Sequence, residues 1–251
     1  MRKPPHVDIV LRGAGGLLGH RLLRTILSTP PDFRVSSVIL DTHEQSFRRF
    51  ESLFQARQFP DNLNVYVDAK KERFAEFQDR MRPKFDVRPL DQSWGTLART
   101  DAIIDAAIIR GKDNLDDFYK HYAKNKPVIF QSGTYPNNTL ISPQIESAPV
   151  ELKRYRAGDC LLSGISPILH LVRRRTREMS LFFVVQRQTP LNGYTTNDNL
   201  SDIISNPETE DFLETNLREL MPEIEDLHAV ICEIPGLDYY RCDMRIKLNQ
   251  K

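Results

Sequence analysis

Cys160 is the side chain in this sequence best placed for covalent chemistry. It stands just ahead of the segment 163–175, in which apolar residues recur at helical spacing. Backbone N–H groups at the start of a helix favour the thiolate, which is the nucleophilic form of cysteine. Asp159 directly precedes it, and an adjacent anion disfavours the thiolate. The residue is therefore either a nucleophile or a thiol packed at a helix start.

A cluster of glycines marks a second candidate site. The residues concerned are Gly13, Gly15, Gly16 and Gly19, between the β-prone run 7–11 and the helix-like segment 17–27. Glycines at such a turn allow a tight bend, close approach of the backbone to a pyrophosphate, and close packing of helix on strand. The spacing is imperfect. When the dinucleotide-binding glycine pattern is aligned on Gly19, its first glycine is replaced by Ala14. When the pattern is aligned on Gly13, the turn is one residue too long.

Asp41 is the natural companion of this glycine turn. It follows the second β-prone run, 35–40, and lies 22 residues beyond Gly19. An acidic side chain there can bond the ribose of a dinucleotide such as NAD. The pair predicts either an NAD site or a retained fold whose loop no longer closes around a ligand.

These residues are positioned by alternating strands and helices. Strand, turn, helix and strand succeed one another over 7–40, and the pattern repeats with strands at 102–109 and 127–130 around a helix at 114–124. Such repeats predict right-handed crossovers and a parallel sheet. The region 42–84 is expected to be largely helical.

The pattern changes after residue 149. A helix at 163–175, long strands at 179–185 and 239–248, and an acidic helix at 206–225 are expected. The predicted fold class is α/β, with a Rossmann-type parallel-sheet domain, 1–157, followed by a smaller, truncated α+β domain with an antiparallel sheet, 158–251.

Composition limits the function classes. The 35 basic and 34 acidic side chains leave a net charge of +1, which excludes a strong overall attraction to nucleic acid or to an anionic membrane. The arginine-rich run 173–177 is interpreted as a solvated helix end. No apolar run approaches the roughly 20 residues needed to span a bilayer. The spacing of the three cysteines matches neither a zinc site nor a disulfide framework, so no metal is expected. Free thiols in a cytoplasmic protein are expected instead.

The segment around Cys160 resembles the catalytic segment of glyceraldehyde-3-phosphate dehydrogenases. That family carries a Ser-Cys-Thr-Thr-Asn-Cys-Leu-Ala-Pro run, and here Pro167 also stands seven residues after the cysteine. The segments 217–224 and 230–235 resemble two later elements of the family, and the glycine turn, Asp41 and Trp94-Gly95 fall in matching order. The resemblance implies a Rossmann domain that binds NAD and a second domain in which Cys160 is the nucleophile.

The departures from that family concern the chemistry. Gln186 stands at or near the position of the family's histidine base, and an amide cannot accept a proton at neutral pH. Asp159 replaces a phosphate-binding serine, Leu161 a threonine, and Glu233 a phosphate-binding arginine. Like charges would then face an anionic substrate.

Two further departures lie outside the cysteine segment. A Ser-Thr-Gly turn of the family is replaced by Ala106-Ala107-Ile108-Ile109. The chain ends at Lys251, after one strand of the second domain, so the resemblance describes a divergent, C-terminally shortened member whose cleft is open or is completed by another chain.

The sequence leaves two main hypotheses. The first is a non-catalytic scaffold of this dehydrogenase type, acting as a binding or structural component of a larger protein assembly, with another protein chain completing or covering the second domain. The alternative is an NAD-dependent oxidoreductase that acts on an unphosphorylated aldehyde through Cys160. A protein that binds NAD without chemistry is a weaker third.

Overall fold

The chain divides into two compact units. The computed structural model describes residues 7–28, 33–40, 44–55, 63–68, 71–81, 85–107, 126–131, 139–141, 154–157, 160–174, 179–188, 204–205, 207–234 and 241–248. The first unit comprises 1–139 and 149–157, and the second comprises 140–148 and 158–251. Leu140 groups with the second unit because its side chain is buried in that core and its N–H donates to Glu219 Oε1 at 3.1 Å.

The first unit is built on a parallel sheet. Its described strands are β1 (Val7–Arg12), β2 (Phe33–Leu40), β3 (Asn64–Val67), β4 (Val87–Pro89), β5 (Ala102–Asp105), β6 (Val128–Phe130) and β8 (Arg154–Ala157), and the short strand β7 (Thr139–Ile141) begins at Thr139 of this unit while its other two residues group with the second. The seven run parallel in the order β4-β3-β2-β1-β5-β6-β8. The predicted Rossmann-type sheet is confirmed.

Helices follow the strands of this sheet. They are α1 (Leu17–Ser28), α2 (Glu44–Gln55), α3 (Lys71–Met81) and α4 (Trp94–Arg99). Adjacent residues of β1 serve two cores, since Leu11 packs with Leu23 and Phe47 of the helices and Val10 packs with Leu97. Burial of both sheet faces explains the continuous apolar runs in the sequence. The helices α2 and α3 lie in the region 42–84, as expected, with the short strand β3 between them.

The second unit has a mixed sheet with helices. Its elements are α5 (Cys160–Arg173), β9 (Met179–Gln188), β10 (Ile204–Ser205), α6 (Pro207–Leu220), β11 (Ile224–Ile234) and β12 (Arg241–Leu248). The strand order is β10-β11-β9-β12. β12 is antiparallel to β9, as expected, whereas β11 is parallel to β9, so the sheet is not purely antiparallel. The physical reason is that α6 lies between β9 and β11 in the chain, where it can serve as a crossover.

One face of this sheet forms the core of the second unit. Alternate residues of β9, Leu181, Phe183 and Val185, are buried in one cluster with Leu162, Ile165 and Leu169 of α5 and with Leu213 and Leu217 of α6. The intervening residues of β9 belong to the other face, which remains open, and Phe182 there is 39 % exposed. None of the helices in the described ranges is long and apolar enough to cross a lipid bilayer.

The acidic helix predicted from the sequence, α6, accepts backbone hydrogen bonds from β11. Glu214 Oε1 accepts the N–H of Ala229 at 2.7 Å, and Glu210 Oε1 accepts the N–H of Ile231 at 2.8 Å. Carboxylates four residues apart on a helix match N–H groups two residues apart on a strand, since both spacings are about 6–7 Å. Both N–H groups belong to β11, whose described pairs with β10 are at Cys232 and Glu233. Side chains of α6 thus satisfy backbone groups of β11 outside these described pairs.

Candidate functional site

Gly13 makes the sharp turn at the end of β1. Its φ is +76°, a conformation that residues with a Cβ rarely adopt, and its N–H donates to Ile39 O at 2.9 Å. A Cβ at this position would lie 2.5 Å from the backbone nitrogen of Ala107, just beyond β5. The end of β1 and the chain leaving β5 are therefore in direct backbone contact, which only glycine permits.

Gly16 and Gly19 complete the turn and join it to α1. The N–H of Gly16 donates to Gly13 O at 2.9 Å, and the N–H of His20 donates to Gly16 O at 2.8 Å. A Cβ on Gly19 would lie 2.0 Å from Gly13 O, so the helix packs on the turn closely enough to require glycine there as well. The spacing left open by the sequence is thereby resolved. Gly13 is the first glycine, and the turn contains one extra residue.

Gly15 has a separate role. A Cβ there would lie 2.5 Å from the carbonyl oxygen of Ser46, so the first turn of α2 packs directly on the loop. Gly16 is different, because it is only partly buried and an added Cβ would approach nothing closer than Gly13 O at 3.2 Å. Of the four glycines, Gly16 is therefore the one at which an added Cβ is least crowded by the described residues.

The electrostatic character of the turn suits an anion. The first-turn N–H groups of a helix lack intrahelical acceptors and carry the positive end of its dipole, and the first turn of α1 contains no acidic residue. Burial lowers the pKa of His20, and the positive charges of Arg24, Arg49 and Arg21 lower it further. Its Nε2 is buried and makes no hydrogen bond to the part of the chain that is described.

An ion pair lies under the glycine turn, at the carboxyl ends of the strands. Arg12 Nη1 is 3.3 Å from Asp105 Oδ2, and the two side chains are 8 % and 1 % exposed. Asp105 Oδ1 also accepts the N–H of Ala107 at 2.8 Å, and Arg12 Nη2 lies 3.8 Å from Asp68 Oδ2. Because Ala107 touches Gly13, this pair fixes the end of β5 against the turn.

Sequence reasoning did not single out Arg12, Asp68 or Asp105. Two signals were present, namely a charge that ends an apolar strand directly before Gly13, and an aspartate that closes the apolar run of β5. A buried charge requires a partner. The partners lie 93 residues apart in sequence, a separation that only the strand order β2-β1-β5 reveals.

In the second unit, Cys160 is the first residue of α5, as expected of a cysteine at a helix start. The described part of the structure does not include its side chain or that of Glu233, and Asp159, Asp41, Ile108 and Ile109 lie outside the described residues. The contacts predicted for these residues therefore stay predictions.

Gln186 lies on β9, where the sequence placed it. In register it neighbours Cys232 of β11 and Arg241 of β12. It alternates with the buried Leu181, Phe183 and Val185, and so belongs to the open face of the sheet. The helix-facing positions of β9 from 179 to 185 and the buried positions of β11 from 227 to 231 are all apolar.

None of the buried, helix-facing positions described on β9 and β11 carries a histidine. His228 is paired in register with Phe182 and is exposed on the open face, and His170 lies near the end of α5, ten residues after Cys160. A groove of about 240 Å³ on the open face is lined by residues that include Phe182, His228, Arg245 and Lys247.

Solved structures share this arrangement of elements. Aspartate semialdehyde dehydrogenase II of Vibrio cholerae, complexed with ASA, superposes with a TM-score of 0.61 at 12 % identity over 97 % of this chain and 72 % of that one. Aspartate semialdehyde dehydrogenase of Candida albicans with NADP gives 0.64 at 11 % identity over 98 % and 73 %. The chain has the fold of an aspartate semialdehyde dehydrogenase. No protein-family model and no curated protein matches the sequence.

At these identities the likeness concerns the fold alone. The resemblance found in the sequence is therefore supported only as a likeness of fold to dehydrogenase structures.

Proposed function

We propose that this chain binds NAD at the glycine turn, does not oxidise aldehydes, and acts as a binding or structural component of a larger protein assembly. In this proposal the scaffold of a dehydrogenase is kept and its reaction is lost. The partner is another protein chain that covers the second unit.

The glycine turn supports dinucleotide binding. A Cβ on Gly13, Gly15 or Gly19 would lie within 2.5 Å of backbone atoms, whereas a Cβ on Gly16 would approach Gly13 O only to 3.2 Å. That combination fits a loop that brings its backbone against a pyrophosphate. NAD would be held by the N–H groups at the start of α1, and Asp41 would meet the ribose. One of the solved structures with this fold contains NADP.

The apolar lining of the second unit supports the absence of catalysis, and it is the observation on which this part of the proposal rests. A nucleophilic thiol needs a nearby base or a stabilised thiolate. The helix-facing positions of β9 from 179 to 185 carry apolar side chains, and Gln186 lies on the other face. The acidic Asp159 next to the thiol adds a charge that opposes its ionisation.

The open face of the second sheet supports a protein partner. Phe182 and Val230 are 39 % and 37 % exposed. The residues of β12 on the same face include the charged Asp243, Arg245 and Lys247, of which Arg245 is paired in register with Phe182. An apolar centre with a charged rim is the usual composition of a protein interface.

Calorimetric titration with NAD tests the binding. We expect saturable binding by the wild-type chain and a loss of affinity of at least about tenfold in Gly16→Ala, because the methyl group occupies the space of the pyrophosphate. Gly95→Ala is the matched control, since a Cβ there meets nothing within 4 Å. No binding by the wild-type chain contradicts the proposal.

A turnover assay separates the proposal from its alternative, an NAD-dependent oxidoreductase that uses Cys160. The position of Cys160 at the first residue of α5 favours that alternative. The purified chain is incubated with NAD or NADP and with phosphorylated and unphosphorylated aldehydes, including aspartate semialdehyde, and reduced nicotinamide is followed by absorbance. We expect none to form. Turnover that disappears in Cys160→Ser establishes the alternative.

The partner is tested by isolating complexes with the tagged chain. We expect Phe182→Asp to lose a specific protein that the wild-type chain and Gly16→Ala both retain. Recovery of the same proteins by the wild-type chain and by both variants contradicts the role assigned to the open face.

A further inference from the structure

We propose that Asp68 is a second carboxylate that recognises the adenosine ribose, and that this chain therefore selects NAD over NADP. The inference rests on the proposed function, because it assigns a contact within the same dinucleotide site. It differs from the prediction for Asp41, which came from the sequence spacing alone.

Asp68 stands at the edge of the sheet where a dinucleotide lies in this fold. It directly follows β3, and its N–H donates to Leu40 O, the last residue of β2, at 2.9 Å. Asp41 comes next in the chain after Leu40. In open α/β sheets, ligands bind outside the carboxyl ends of the strands, and the ribose is read at the end of the strand after the glycine turn. The backbone of Asp68 is thus hydrogen-bonded to the end of β2, where the ribose of a dinucleotide binds in this fold.

The Asp68 carboxylate is available to a ligand. Its side chain is 54 % exposed, and its one charged neighbour among the described residues is Arg12, with Nη2 at 3.8 Å from Oδ2. That distance is too long for a hydrogen bond. Arg12 is meanwhile bonded to Asp105 at 3.3 Å, and both of those side chains are buried. The cation at this edge is therefore already neutralised, and the oxygens of Asp68 keep their accepting capacity.

The chemistry of a carboxylate separates the two dinucleotides. An ionised aspartate only accepts hydrogen bonds, which matches the hydroxyl donors of an unmodified ribose. A 2′-phosphate brings an anion to the same place, and like charges repel where the site is partly shielded from water. Recognition of a 2′-phosphate usually uses an arginine, whereas the side chain fixed at this strand end is an aspartate.

Competitive titration of NAD and NADP tests the inference. We expect the wild-type chain to bind NAD at least about tenfold more tightly than NADP, and Asp68→Asn to reduce that ratio by about tenfold through weaker NAD binding and stronger NADP binding. Asp211→Asn is the matched control, because it removes the same charge from an exposed position on α6 in the other unit. Circular dichroism and thermal unfolding establish that each variant is folded.

The outcomes separate this inference from the one it rests on. Binding of neither dinucleotide by the wild-type chain overturns the proposed function and this inference with it. Equal binding of NAD and NADP, a preference for NADP, or an unchanged ratio in Asp68→Asn overturns the role of Asp68 and leaves the proposed function standing. The wild-type ratio decides the direction of selectivity even if the variant does not fold.

Discussion

A Cβ atom on Gly19 would lie 2.0 Å from the carbonyl oxygen of Gly13. No side-chain rotation relieves that contact, since both atoms are fixed to the backbone. We expect Gly19→Ala to destabilise the chain by about 3 kcal/mol or more, because the helix must move away from the turn. Urea unfolding followed by circular dichroism measures the change.

Gly164→Ala is the counterpart in the second unit. Gly164 lies within α5, is exposed, and has no atom within 4 Å of an added Cβ. We expect this variant to be more stable than the wild type by about 0.5–1 kcal/mol, because alanine loses less conformational entropy in a helix. Similar losses of stability in both variants would contradict the packing described for the turn.

The Arg12–Asp105 pair predicts a strongly non-additive result. Arg12→Met leaves Asp105 buried without its cation, and we expect the free energy of unfolding to fall by about 3–5 kcal/mol. Combining it with Asp105→Asn removes the unpaired charge and keeps an oxygen that can accept the N–H of Ala107, so part of the loss returns. A double-mutant cycle in urea measures the coupling, and additive effects would show that the two side chains do not depend on each other.

The environment of His20 predicts a dependence of stability on pH. Because burial and the surrounding arginines lower its pKa in the folded chain, the unfolded chain binds the proton more readily. Stability should therefore decrease as the pH falls from about 7.5 to about 5.5, through the ordinary pKa of histidine. The thermal midpoint of His20→Gln should decrease less over that range. An equal decrease in both proteins would assign the effect to other groups.

The hydrogen bonds from β11 to the carboxylates of α6 predict a loss of stability when one carboxylate is removed. Glu214→Ala leaves the buried N–H of Ala229 without its acceptor, and we expect about 1–3 kcal/mol of destabilisation. Thr215→Ala, at the neighbouring exposed position of the same helix, should change stability by less than about 0.5 kcal/mol. Hydrogen exchange at Ala229 gives an independent readout, and it should accelerate in Glu214→Ala only.

The fold of the first unit could be predicted well because the sequence patterns that specify its elements are close together in the chain. Apolar runs, a glycine cluster and helical periodicity follow one another within about 35 residues, and the parallel sheet results. The register of the turn could not be read in the same way. The choice between Gly13 and Ala14 as the first turn residue depends on the positive φ of Gly13 and on its contact with Ala107, a residue distant in sequence.

The second unit was harder to predict for a physical reason. The expected acidic helix 206–225 ends earlier, at Leu220, and β11 begins at Ile224. Pro222 stands between them, and a proline has no N–H with which to continue the hydrogen bonding of the helix. The parallel pairing of β11 with β9 could not be read from either strand alone, because it depends on long-range strand order.

The contacts of Glu210 and Glu214 with β11 decide at which edge a further strand can pair with the second sheet. A pairing strand cannot lie along Ala229 and Ile231, since their N–H groups are already taken by side chains of α6. At the opposite margin β12 is paired with β9 on one side, and most of its residues are exposed. Among the described strands, β12 rather than the stretch of β11 bonded to α6 is therefore the margin at which an extended segment can pair with this sheet.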